Sequence, residues 1–102
     1  MNLFRQVEGH IVRSLLLDAE SVTLGFDAYS IVVYNAYSFS HCEDIGNVPS
    51  STVKQVSINT TEVSFLLTTG CILTVQLDEK SYNGPEALVL YDAKGMALAV
   101  WN

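Results

Sequence analysis

Hydrophobic and polar residues alternate in short bursts along most of the chain. From Ser21 to Phe26, Val22, Leu24 and Phe26 fall on one side and Thr23 and Gly25 on the other. From Glu62 to Leu67, Val63, Phe65 and Leu67 oppose Ser64 and Leu66. A period of two places alternate side chains on one face of a strand, so both bursts read as half-buried β-strands. Each is flanked by two more. The spacing predicts strands at 12–17, 21–26 and 30–36, then at 54–58, 62–67 and 71–77. Turn-forming residues separate them: Asp18-Ala19-Glu20 and Asp27-Ala28-Tyr29 in the first set, Asn59-Thr60-Thr61 and Thr68-Thr69-Gly70 in the second.

The two sets resemble each other. Residues 12–37 slide onto 53–78 without a gap, so that Val12 meets Val53, Val22 meets Val63 and Ile31 meets Ile72. We read this as an internal repeat of a three-stranded meander within one domain spanning residues 1–102. The third strands differ. Ile31 and Val33 on one face and Val32 and Tyr34 on the other make the first apolar on both sides, as in a strand covered twice or in a subunit interface. The second puts Cys71, Leu73, Val75 and Leu77 on one face and Ile72, Thr74 and Gln76 on the other.

The remaining segments are read more briefly. Leu3, Phe4 and Val7 fit one or two helical turns with Asn2 as a cap, closing one end of the fold as a lid. Tyr37 to Ser51 is rich in Ser, Asn, Gly and Pro and reads as a loop. After a second loop at Asp78–Glu86, strands at 87–91 and 96–101 form a hairpin across Asp92-Ala93-Lys94-Gly95. That makes eight strands. Amphipathic meanders must bury their faces against one another. The expected fold is therefore all-β: two tandem three-stranded antiparallel meanders plus a C-terminal hairpin, in a small sandwich or partly open barrel with a short N-terminal helical turn.

Charge narrows the partners. Five Lys and Arg stand against eleven Asp and Glu, for a net charge of −6. The basic residues are scattered, so no patch exists to neutralise phosphates or anionic lipid, and neither nucleic acid nor a membrane is expected as a partner. A basic protein fits. The low charged fraction of 16% leaves room for self-association, with a homodimer joined through Val32, Ile31 or the terminal hairpin. The N-terminal MNLFRQVEG lacks the apolar run of a secretion signal, and the expected location is cytoplasmic. In that setting Cys42 and Cys71 read as free thiols, with a bond between them as the alternative.

Candidate chemistry is sparse. His41-Cys42-Glu43-Asp44 offers four metal-ligating side chains in a row, but adjacent residues do not converge on one ion as spaced pairs do. His41 beside Cys42 is no dyad by adjacency, so a Cys–His nucleophile would need His10 to meet Cys42 or Cys71 in space. Asp78, Glu79 and Glu86 surround Tyr82 in one acidic loop without showing the facing geometry of a carboxylate pair. No cofactor, metal site or catalytic residue is assigned.

Gly84-Pro85-Glu86-Ala87, an apolar strand, a short acidic turn and a strand ending in Val100-Trp101 resemble the end of small uncharacterised bacterial all-β proteins. The preceding meanders resemble them in plan. Such proteins include immunity proteins that neutralise a toxin, which share no motif that would carry a functional residue over. The charge excess and the missing catalytic set point to a non-enzymatic acidic protein-binding module, to which the resemblance adds an immunity protein occluding a basic toxin as one form. Its expected contact residues are Glu43 and Asp44 in one loop and Asp78, Glu79, Tyr82 and Glu86 in the other. The alternatives are a small-molecule-binding barrel or shallow-pocket enzyme, and a structural homo-oligomer.

Overall fold

The computed structural model describes residues 3–77 and 86–101. They form nine strands: β1 (Ser14–Leu17), β2 (Val22–Gly25), β3 (Tyr29–Val33), β4 (Tyr37–Ser40), β5 (Val53–Ile58), β6 (Glu62–Leu67), β7 (Ile72–Gln76), β8 (Leu88–Asp92) and β9 (Ala97–Trp101). Two antiparallel sheets result, one ordered β1-β2-β3-β8-β9 and the other β4-β7-β6-β5. The fold is sandwich-like and not a closed barrel.

The predicted meanders are present as β1-β2-β3 and β5-β6-β7, and the predicted hairpin as β8-β9. The ninth strand is β4, inside the stretch read as a loop. Tyr37 and Phe39 are half-buried, whereas Ser38 and Ser40 face solvent. Serine enrichment concealed a period of two. β4 follows β3 along the chain but pairs with β7, and β8 follows the second meander but pairs with β3. Each sheet is thus completed by a strand crossing from the other meander.

Register explains how far the two meanders match. Leu15 pairs with Leu24 as Val56 pairs with Phe65, and Leu17 with Val22 as Ile58 with Val63. The offset through this hairpin is 41 positions, as the gapless alignment has it. It becomes 42 in the third strand, where Leu24 pairs with Ile31 but Phe65 pairs with Leu73. The cause is the intervening turn. Phe26 N–H bonds the Tyr29 carbonyl at 2.8 Å across two residues, while Leu67 N–H bonds the Cys71 carbonyl at 2.9 Å across three, with Gly70 at φ +92°. A slip of one residue exchanges the faces of a strand. Ile31 is therefore the counterpart of Leu73 in the core, and not of Ile72.

Side chains stack across the first sheet in registered rows. Leu15, Leu24, Ile31, Leu90 and Ala99 form one row facing the other sheet; Leu17, Val22, Val33, Leu88 and Trp101 form a second. The second sheet answers with Val56, Phe65, Leu73 and Phe39, and with Ile58, Val63, Val75 and Tyr37. Most of these side chains are fully buried. Each such burial removes enough apolar surface to contribute about 1.5–3 kcal/mol before entropy is counted. Ile31 lies within this core and is closed to any subunit interface. Val32 is on the opposite face, half-buried.

The N-terminal turn is a 3₁₀ helix, Leu3–Val7, that buries Phe4 and Val7 and leaves Leu3 exposed. The Phe4 ring lies 6.1 Å from Trp101 at the end of β9. The following residues run along β5: Gly9 N–H bonds the Val53 carbonyl and Val53 N–H bonds the His10 carbonyl. The expected cap, Asn2, lies outside the described residues. Among the described residues no helix is long and apolar enough to cross a membrane.

Candidate functional site

Chemistry-bearing side chains gather where β4 ends beside the start of β7. Ser40 pairs with Ile72 in antiparallel register, which brings the residues after Ser40 beside Cys71, the residue before Ile72. His41 then takes a left-handed conformation, φ +56°, and turns the chain back. Cys42 consequently meets Cys71, with Cα atoms 4.5 Å apart, and the two form a disulfide across 29 positions of sequence. This corrects the free-thiol reading. That reading followed from the expected cytoplasmic setting, and the loop reading of 37–51 hid the adjacency that β4 gives the two cysteines.

The bond anchors an acidic loop. Asp44 is an N-cap in extended conformation whose carboxylate accepts from the Gly46 N–H at 2.8 Å. It opens the 3₁₀ turn Ile45–Asn47, which is followed by Val48, buried in the core. Between this loop and the turn ahead of β7 lies a recess of about 220 Å³, lined by His41, Glu43, Asp44, Asn47, Thr69 and the two half-cystines. No Lys or Arg contributes to that lining. Two carboxylates, an amide and a hydroxyl therefore present acceptors to whatever enters. Their chemistry suits a cationic or hydrogen-bond-donating group of the size of a single side chain.

The remaining expected contacts are elsewhere. Asp78, Glu79 and Tyr82 lie outside the described residues. Glu86 precedes Ala87, whose carbonyl accepts from Tyr34 and Asn35. Gln76, at the far end of β7 from Cys71, is bonded to Ala36 in the same neighbourhood. Glu86 thus belongs to the opposite end of the sandwich from Glu43 and Asp44. There, burial first, then a hydrogen bond with Tyr91 and the negative charge of Glu86, hold the Tyr34 hydroxyl above its usual range. Asn47 and Thr69 were not anticipated. Nothing in the sequence places Thr69 beside the acidic loop until the disulfide is known.

Other candidate chemistry is engaged structurally. With both sulfurs in one bond, neither cysteine is a nucleophile or ligand in this form. His10 packs edge-on against Tyr29, ring centroids 5.3 Å apart. Among the described residues no group of three or more His, Cys, Asp or Glu could hold a metal ion. A second recess, about 200 Å³, includes Asp27 and Asp92. Asp27 forks onto Arg13 at 3.0 and 3.1 Å, and Asp92 accepts from the Lys94 and Met96 N–H groups. Comparison with family models, with curated proteins and with solved structures gives no match.

Proposed function

We propose that the protein is a non-enzymatic binding module whose disulfide-anchored acidic recess receives a Lys or Arg side chain of a basic protein partner. The observation that carries this reading is the recess itself. It sets Glu43 and Asp44 on a loop held at one end by Cys42–Cys71 and at the other by buried Val48. Such anchoring reduces the ordering entropy a binding loop loses on association. The net charge of −6 adds a field that speeds the approach of a cationic partner. The sharpest form of the reading is an immunity-type protein that occludes a basic toxin. A disulfide persists best in an oxidising compartment, so the site of encounter fits that setting better than the reducing cytoplasm first expected.

The acidic recess is polar and about 220 Å³, a size that suits a single side chain. The test is an NMR titration of the labelled protein with an Arg/Lys-rich peptide. Amide shifts are expected at 41–47 and 69–71 and are expected to fall with added salt. Glu43→Gln with Asp44→Asn, which keeps the Gly46 cap acceptor, should abolish them. Shifts spread over the whole surface, or unchanged in the double variant, defeat the reading.

A further inference from the structure

We infer that β1 is a dimerisation edge, on which a second copy of this chain adds its own β1 antiparallel to make one continuous sheet. The molecule contains its own control for this statement. β1 and β5 are edge strands in the same register on their neighbours, 41 positions apart. Their outward sides differ at one matched pair of positions, Val56 and Leu15.

On β5 the edge is closed at Val56. The Val56 N–H donates to Glu8 Oε2 at 2.8 Å, and its carbonyl accepts from Arg5 Nη1 at 2.6 Å. Val53 is bonded on the same side by Gly9 and His10, and its counterpart Val12 is bonded likewise by Ser50 and Ser51, so the difference between the edges lies at Val56. Side chains and a covering segment are how sheets avoid pairing with strangers. On β1 the counterpart of Val56 is Leu15. By the same register its N–H and carbonyl point away from β2, as do those of Leu17 two residues on. Among the described residues nothing bonds them. The strand reads Ser-Leu-Leu-Leu, with no charge or proline to discourage pairing.

The side chains tell the same story. Leu16 is 63% exposed and Leu17 47%. They are consecutive, so they point to opposite faces of the sheet. A partner lying on either face would cover only one of them. A strand added in the plane of the sheet covers both. Leu16 also ends an outward row that runs in register through Thr23, Val32, Val89 and Val100. The corresponding row of the other sheet is Ser57, Ser64, Thr74 and Ser38, with Ser64 and Thr74 hydroxyls 3.4 Å apart. The same row of the fold is mostly apolar beside the bare Leu15 position and hydroxylated beside the closed Val56 position.

A second copy fits because the edge is self-complementary. With Leu15 opposite Leu17 of the second copy, the two-fold axis passes through Leu16, which meets its own mate. Leu17, at the open end of a core-facing row, packs on Leu15 of the second copy. Arg13 then lies opposite Ala19 of the second copy, between Asp18 and Glu20. Arg13 binds Asp27 through Nε and Nη2, which leaves Nη1 for that turn. Opposite charges at the two ends of one strand meet only when it pairs with itself antiparallel.

The test is sedimentation equilibrium of the full chain from about 1 µM to about 1 mM. The mass should rise with concentration from 11.2 kDa towards twice that value. Amide exchange at Leu15 and Leu17 should slow over the same range. Leu17→Pro removes an N–H that β2 does not use, and should weaken association by about tenfold or more. Leu16→Lys, on a largely exposed side chain that the fold does not need, should do the same and guards against misfolding of the proline variant. A protein that remains at 11.2 kDa throughout, or one whose association is unaffected by either substitution, overturns the inference.

Discussion

Reducing Cys42–Cys71 should destabilise the protein chiefly through its unfolded chain. The two cysteines are 29 positions apart, and closing a loop of that length in a disordered chain removes entropy worth about 3.5 kcal/mol at 25 °C. In the folded state the bond joins strands that already pair, Ser40 with Ile72, so little native structure depends on it. A small domain is stable by only about 5–15 kcal/mol, so the loss is a large share. At roughly 4–8 °C per kcal/mol for a domain near this size, the melting temperature should fall by roughly 15–30 °C. The assay is guanidinium unfolding of the oxidised and the dithiothreitol-reduced chain. Reduction leaves both side chains in place and so isolates the cross-link from the packing of Cys71, which is buried. The denaturant slope should rise on reduction, because the freed unfolded chain exposes more surface. A difference under about 1 kcal/mol with an unchanged slope would refute this reasoning, and would mean that the reduced unfolded chain already holds β4 near β7.

Two further tests probe buried and exposed polar groups. Asn35 is 2% exposed; its Nδ2 donates to the Gln76 carbonyl at 2.7 Å, and among the described residues no partner reaches its Oδ1. Asn35→Asp should cost about 3 kcal/mol at neutral pH, since a buried carboxylate cannot donate to that carbonyl. Burial raises the folded pKa of such an acid, so the lost stability should return as pH falls through that value, and a pH-independent loss in urea unfolding would contradict it. At the surface, the Arg13 hydrogen bond first and its charge second hold Asp27 below the usual carboxylate range. The small stability this pair contributes is present above the unfolded Asp value of about 3.9 and is lost as pH falls through the lower folded value. Arg13→Gln should move the Asp27 midpoint up towards an ordinary aspartate in a carboxyl-detected NMR titration; an unmoved midpoint would show that the fork does not persist in solution.

What could be read from the sequence was whatever local alternation encodes. Val22-Thr23-Leu24 and Val63-Ser64-Phe65 declare strands and faces because each apolar residue sits two from the next. The turns at Asp18 and Asn59 were equally plain, and both side chains accept backbone N–H bonds there. What could not be read was long-range. The extra residue in the 68–70 turn leaves both strands apolar and merely changes which residues correspond. β4 has the period of two but only four residues, half of them serine. Its omission cost the disulfide and, with it, the recess beside Glu43 and Asp44.

The comparison of β1 with β5 carries this furthest. Nothing in the isolated segment Ser14–Leu17 distinguishes a bare edge from a central strand, since both favour consecutive apolar residues. The distinction lies in Arg5 and Glu8, residues of the N-terminal turn, which close the edge of β5. They are spent on the hydroxyl-faced sheet, and the leucine-rich edge is left open. If covering an edge served only solubility, the apolar one would have the stronger claim to it. The observed arrangement is the one expected if the Leu15 position is reserved for a partner strand.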